Sequence, residues 1–294
     1  MKRLNIPKSE HNKGAQVVSF EDGVNFLRRH VGKIIGAGLV GAGIGLGLTF
    51  VIPKQWEATA IIQVGQVAND TANPTQIETT ARTMERLKLN QFEDRILTGL
   101  GLPLEVGESR STDLFRNSSQ ILLLRNSDLI QISARGHSPE EARRFTQAYC
   151  NELISVHAAL AKPTLDKLGA DLAEVQASLI TEENRRKQLA SLLDARGRAG
   201  IAGKFSENVL LNDIANDNDK QLRQLRLHKN SVEEKLSPER TFNTRILGAV
   251  DVTRRAIYPK KAIFTIAGLM VGLFFALMLG LWIDRRGGLQ EEIA

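Results

Sequence analysis

Two uncharged stretches decide the fold: Ile34–Ile52, IIGAGLVGAGIGLGLTFVI, and Ala262–Ile283, AIFTIAGLMVGLFFALMLGLWI. At about 1.5 Å per residue each predicts a helix of roughly 30 Å, the hydrocarbon thickness of a bilayer, and neither holds a charge that would need hiding. Both read as membrane-spanning helices. The first is not read as a secretory signal. It begins only at Ile34, it is longer than the roughly 7–15 apolar residues of a signal core, and Phe50-Val51-Ile52-Pro53 offers no small-x-small cleavage site.

Short flanks set orientation, because a long domain is translocated largely regardless of its charge. Lys2, Arg3, Lys8, Lys13, Arg28, Arg29 and Lys33 precede the first span, and Arg285 and Arg286 follow the second. Both termini are therefore expected in the cytoplasm and the central segment outside the inner membrane. Half of the formal charge of +6 sits in these flanks. Acids and bases nearly balance between them, which is unlike a nucleic-acid-binding face. The expected division is a cytoplasmic segment 1–33, spans 34–52 and 262–283, a periplasmic domain 53–261 and a cytoplasmic tail 284–294. Within the domain, 53–137 and 240–261 form an α/β base and 138–239 a helical hairpin. The fold class is an α+β membrane protein.

Residues 1–19 lack periodicity, and structure is expected to begin near Phe20, where Phe20, Val24 and Leu27 predict a short interfacial helix before the chain turns in. The β-branched segment Trp56–Val67 predicts a strand. Ile77, Ala81, Met84 and Leu87 predict a helix running from Pro74 to Leu100, with Gly99 and Gly101 ending it. Strands at 121–124 and 129–134 are separated by the turn residues Arg125-Asn-Ser-Asp128. Ser138-Pro139-Glu140-Glu141 is a helix start, with Ser as cap, Pro where its missing N–H costs nothing, and Glu able to close a capping box. The helix it opens carries an apolar seam through Leu165, Leu168, Leu172, Val175 and Leu179 and is expected to kink or break at Pro163. A glycine-containing turn at 194–204 leads to a returning helix with Leu222, Leu225, Val232 and Leu236, stopped by Pro238. A strand at 245–257 is expected to rejoin the base. A rod this long must project or pack along a partner surface.

The pattern Gly36-x-Gly38-x-x-Gly41 matches a dinucleotide-binding loop literally, but it lies inside a span rather than between a strand and a helix. Small residues four apart let helices approach, which assigns Gly36, Gly41, Gly45, Gly268 and Gly272 to helix packing, within one chain or between subunits. The five histidines are scattered without metal-site spacing, no Walker or G-x-S-x-G element occurs, and acidic pairs lie among Lys and Arg on helical faces. No cofactor, metal or catalytic residue is expected, nor any enzyme activity. Cys150 is the only cysteine, so the domain is held without an internal disulfide, and a lone thiol on an apolar face reads as a small hydrophobe.

Three segments in order resemble the chain-length determinant proteins, the Wzz-type polysaccharide co-polymerases. They are Trp56-Glu-Ala-Thr-Ala-Ile-Ile-Gln-Val64, the strand and capped helix from Ser127 to Tyr149, and Tyr258-Pro-Lys-Lys-Ala262 leading into the second span. The family has several prolines before and within that span, and here only Pro259 is close. The resemblance implies a membrane-proximal α/β base, a long helix, and ring-like homo-oligomers in the bacterial inner membrane. It also implies non-enzymatic control of the length of O-antigen or a related polysaccharide, exercised with a membrane polymerase on a growing lipid-linked chain. The partners expected are the chain itself, that polymerase, the polysaccharide and membrane lipids, with no nucleic acid. A scaffold for capsule or exopolysaccharide export is the alternative. A two-span sensor is disfavoured by the short segment after the second span.

Overall fold

The computed structural model describes residues 20–69, 73–125, 128–198 and 205–291. In chain order the elements are α1 (Phe20–Val51), β1 (Trp56–Gln63), β2 (Gln66–Val67), β3 (Thr75–Gln76), α2 (Thr80–Leu87), α3 (Asn90–Leu100), α4 (Arg110–Ser118), β4 (Gln120–Leu123), β5 (Leu129–Gly136), α5 (Pro139–Arg198), α6 (Phe205–Leu236), β6 (Arg245–Ile246), β7 (Asp251–Val252) and α7 (Lys261–Glu291). They divide into two units, one holding α1 and α7 and the other running from Gln55 to Ile257.

In the first unit, Arg28–Val51 and Lys261–Trp282 are long and apolar enough to cross a membrane. The helix α1 starts at Phe20 and continues without a break, so the separate interfacial helix expected before the span does not form. No proline interrupts that stretch, and helical hydrogen bonding propagates through it. Pro53, which has no N–H to donate, follows its last turn. The helix α7 continues past Ile283 to Glu291, into the segment expected as the cytoplasmic tail. The expected segment 1–19 lies outside the described residues, as do 292–294.

The second unit is built on an antiparallel sheet in the order β4-β5-β1-β6, with β7 also on β1. Strand β1 pairs with β5 over its full length, from Trp56 opposite Gly136 to Gln63 opposite Leu129. Alternation places Ala58, Ala60 and Ile62 of β1 and Ile130, Ile132 and Ala134 of β5 on the buried face. Helix α5 lies on that face through Ala142, Phe145, Tyr149 and Leu153, at steps of 3 and 4, and Thr146 Oγ1 donates to the carbonyl of Ala58 at 3.1 Å. Phe115 of α4 stacks on Tyr149 at 5.1 Å and meets Phe145 edge-on at 5.3 Å. Cys150 is buried in the same core.

The start of α5 follows its sequence. Ser138 Oγ accepts from Glu141 N–H at 3.0 Å, and the Glu141 carboxylate accepts from His137 N–H at 2.6 Å, one residue further back than in the usual capping box. Gly136 is required immediately before it, since a Cβ there would collide with the backbone of Glu141 and Ala142.

Four expectations are corrected. The helix expected over 74–100 is two, α2 and α3, broken at Lys88-Leu89 so that Leu87 and the face of Phe92, Ile96 and Leu97 all reach one core. Helix α4 has no counterpart in the sequence reading. Pro163 does not interrupt α5, which runs through it for 60 residues. The carbonyl it leaves unpaired belongs to Ala159, an exposed residue where water can serve. The strand expected at 245–257 is instead two short pieces. Ile246 faces Ile62 and Val252 faces Ala58, so the returning chain carries two residues more than β1 and bulges at Gly248, whose φ of 81° is left-handed.

Because the Gly136 backbone touches the first turn of α5, Gly136→Ala should lower the unfolding free energy by about 1–3 kcal/mol. Urea denaturation of the detergent-solubilised chain, followed by far-UV circular dichroism, reads this directly. An unchanged midpoint would show that the contact is dispensable.

Candidate functional site

Helices α1 and α7 meet backbone to backbone. A Cβ on Gly41 would overlap the Gly268 carbonyl, one on Gly45 the Phe264 carbonyl, one on Gly268 the Gly41 carbonyl, and one on Gly272 the Ala37 carbonyl. Each step of four up α1 matches a step of four down α7, so Ala37, Gly41 and Gly45 run antiparallel against Gly272, Gly268 and Phe264. Among lipid tails no hydrophobic force joins two helices, and close packing must do so instead. Gly36, expected on this seam, has nothing within 4 Å. It stands one residue off the stripe, and Ala37 occupies the place assigned to it. Gly38 is a further seam position, set against Leu273. On the opposite faces Ile35, Leu39, Val40, Ile44, Met270, Phe274, Phe275 and Met278 are mostly exposed. Lys261 Nζ sits 5.3 Å over the Phe50 ring at one end.

The hairpin forms a second seam. Leu168, Val175 and Leu179 of α5 are buried, and the last two cluster with Leu222 and Leu225 of α6. Leu172 is half-buried. Leu165, also half-buried, lines a cavity of about 470 Å³ with Leu236 and Phe242. Asn218 Nδ2 donates to both the backbone and the carboxylate of Glu182 at 3.1 and 2.6 Å, and Arg226 pairs with Glu183 at 3.1 Å. These seam leucines therefore face the chain's own returning helix. The rod still exposes Leu160, Ile180, Leu192, Leu210 and Leu227 elsewhere. The expected turn at 194–204 is only partly described, since α5 continues to Arg198 and 199–204 lie outside the described residues.

Where α5 leaves the sheet, a buried polar cluster spans four parts of the chain. His157 and Glu78 are almost wholly enclosed, and Arg86 holds the Glu78 carboxylate by two hydrogen bonds of 2.7 and 3.0 Å. His157 Nε2 faces Glu78 at 3.4 Å, and its Nδ1 lies 2.5 Å from Thr244 Oγ1, which also accepts from Gly65 N–H at 2.9 Å. A carboxylate only accepts, so Nε2 carries the proton and Nδ1 accepts from the threonine hydroxyl. Burial holds the His157 imidazole below the usual histidine range despite the opposing pull of Glu78. The Arg86 guanidinium holds Glu78 below the usual carboxylate range, outweighing burial, with a smaller contribution from His157. The cluster is invisible in sequence because its members come together only in the fold.

Burial pushes the Cys150 thiol up to about 12, which leaves it protonated and unreactive. Among the described residues no three of His, Cys, Asp and Glu are placed to hold a metal ion.

Residues 21–100 match the model of a family described as Wzz: Chain length determinant protein. Among solved structures the chain is similar to a full-length bacterial polysaccharide co-polymerase, at 18% identity over 92% of this chain and 99% of that one, with a TM-score of 0.48. It is also similar to the Shigella flexneri lipopolysaccharide O-antigen chain-length regulator WzzBSF, at 15% identity over 67% of this chain and 97% of that one, TM-score 0.25. A fragment of WzzB, polysaccharide co-polymerase from Salmonella Typhimurium, is similar at 13% identity over 70% and 100%, TM-score 0.26. No curated protein has a matching sequence. The family whose model matches is the one that the sequence resembles.

Two predictions follow from the packing and the buried cluster. Gly41→Leu should weaken the α1–α7 contact by about 1–3 kcal/mol, while Gly43→Leu, at a position with nothing within 4 Å, should melt like the unaltered chain in detergent; equal melting of both variants would refute the seam. The native state binds fewer protons at His157 and Glu78 than the unfolded chain does. Stability should therefore be full above about pH 6.5 and fall on acidification, first as unfolded histidine protonates and then through the carboxylate range. Denaturation midpoints from pH 7.5 to 4.5 should show this decline. His157→Gln should flatten its upper part, and an unflattened curve would place the cause elsewhere.

Proposed function

We infer that this chain regulates the length of a bacterial surface polysaccharide as a non-catalytic, membrane-anchored scaffold. The observation that carries the reading is the chain length determinant match over residues 21–100, which takes in the first apolar helix and the strand after it. The second apolar helix, packed on the first through glycine, supports a two-span anchor. The exposed faces of both helices are continuously apolar, as lipid contact requires and water does not tolerate over such an area.

In this reading both termini lie in the cytoplasm, as the basic flanks direct, and the segment Gln55–Ile257 lies in the periplasm. Copies of the chain assemble side by side in the inner membrane. The apolar residues left exposed along the rod, Ile180, Leu192, Leu210 and Leu227 among them, supply surface for that assembly. A separate membrane polymerase performs the chemistry on lipid-linked repeat units, and the assembly sets how long a growing O-antigen or similar chain stays engaged. Buried, protonated Cys150 supports a role without catalysis.

Deleting the gene should change the modal length of the polymer, read as a shifted or flattened band distribution when lipopolysaccharide is separated by electrophoresis. Expression from a plasmid should restore the distribution. An unchanged ladder in a strain that makes such a polymer would overturn the proposal. An unchanged length with loss of polymer from the cell surface would favour a scaffold for export.

A further inference from the structure

A groove of about 700 Å³ lies between α3 and the first turns of α5, within the roughly 300–1,000 Å³ of ordinary ligand sites. Its floor is apolar, formed by Ile96, Leu100 and Ala148, and Gly99 leaves one wall without a side chain. Three of its charged side chains are already engaged: Arg95 pairs with Glu152 at 3.1 Å, and Arg144 donates to the Leu100 carbonyl at 2.9 Å.

Four others are not. The side chains of Glu140, Arg143, Gln147 and Asn151 line the groove, stand exposed, and make no hydrogen bond or ion pair with any other described residue. Steps of 3, 4 and 4 put them on one face of α5, spread over about 16 Å. A free polar stripe on a convex helix face is ordinarily just solvated. Here it borders a concavity with an apolar floor, which a solvated face does not need.

The chemistry of the stripe narrows the ligand. Glu140 only accepts, Arg143 only donates, and the two amides do both. Counted whole, the lining sets Arg95, Arg143 and Arg144 against Glu140 and Glu152, mixed signs with a single positive charge in excess, too little to select a polyanion. An alkyl tail would strand the amides and charged groups without partners. Hydroxyls, each both donor and acceptor, satisfy all four, and the C–H faces of sugar rings suit the floor. We propose that this groove holds a short segment of an uncharged, hydroxyl-rich saccharide. The proposal rests on the reading of the chain as a polysaccharide length regulator and gives that reading a point of contact with the polymer.

The test uses the full chain in lipid nanodiscs. The probes are neutral fragments of two or three repeat units, released by mild acid from the surface polysaccharide of the producing strain, and an oligogalacturonate as the acidic comparison. Titration followed by saturation-transfer difference NMR should show binding of the neutral fragments and weaker binding of the acidic one. The double variant Gln147→Ala with Asn151→Ala changes two exposed positions and should keep the melting temperature. It should lose about tenfold or more in affinity, the scale of two hydrogen bonds. No binding, preference for the acidic probe, or unaltered affinity in the double variant would overturn the groove proposal. If gene deletion still shifts polymer length in that case, length regulation stands and only the groove fails. If deletion leaves polymer length unchanged, the underlying reading fails first.

Discussion

The contact between Gly41 and Gly45 on α1 and Gly268 and Gly272 on α7 is the constraint on which the first unit depends. Two apolar helices gain nothing from each other in lipid unless their backbones come close, and only glycine permits that at the distances seen here. The contact fixes one antiparallel register, every fourth residue, and it joins segments from opposite ends of the sequence. The second unit meets the same requirement by its own means. At its two ends Ile257 N–H donates to the Gln55 carbonyl at 2.8 Å, and β6 and β7 return along β1. Each unit therefore closes its own ends.

Within the second unit one helix does two jobs. The first four turns of α5 complete the core through Phe145, Tyr149 and Leu153, and its later turns form the hairpin through Leu168, Val175 and Leu179. His157 lies between these regions. Its partners come from the segment before α2 and from the return to β6, so the buried cluster ties the helix to both connections where it leaves the sheet. Such a cluster is costly to bury and costly to break, because removing one partner strands the others. The small residues Ala58 and Ala60 on β1 leave room for α5 to lie directly on the sheet.

What the sequence made legible were the features written in short-range pattern. Both apolar helices show as uncharged runs, the start of α5 as Ser138-Pro139-Glu140-Glu141, the β4–β5 pairing as two strands around turn residues, and the hairpin as leucines at 3 and 4. Of the glycines expected at helix packing, Gly41, Gly45, Gly268 and Gly272 stand on the seam, and Ala37 stands where Gly36 was expected because either is small and only the register decides. What stayed hidden was decided by tertiary contact. Helix α4 offers only Leu114 and Phe115 as large apolar residues and is recognisable only once Phe115 has stacked on Tyr149. The break between α2 and α3 interrupts an apolar pattern that reads as continuous, and the bulge at Gly248 splits what alternation predicts as one strand. The Glu78–His157–Thr244 cluster has no local signature at all.

The described residues leave abundant apolar surface. The thiol is buried and protonated, the titratable cluster is structural, and the apolar residues left over lie on the outside of α1, α7 and the rod. In the proposed reading lipid covers the apolar faces of α1 and α7, and neighbouring copies of the chain cover the apolar residues of the rod. The direct measurement is the mass of the purified full chain in lipid nanodiscs by native mass spectrometry. The account predicts a single assembly whose protein mass is a multiple of the 32.5 kDa chain, held across a tenfold dilution. A particle containing one copy at every concentration would contradict it.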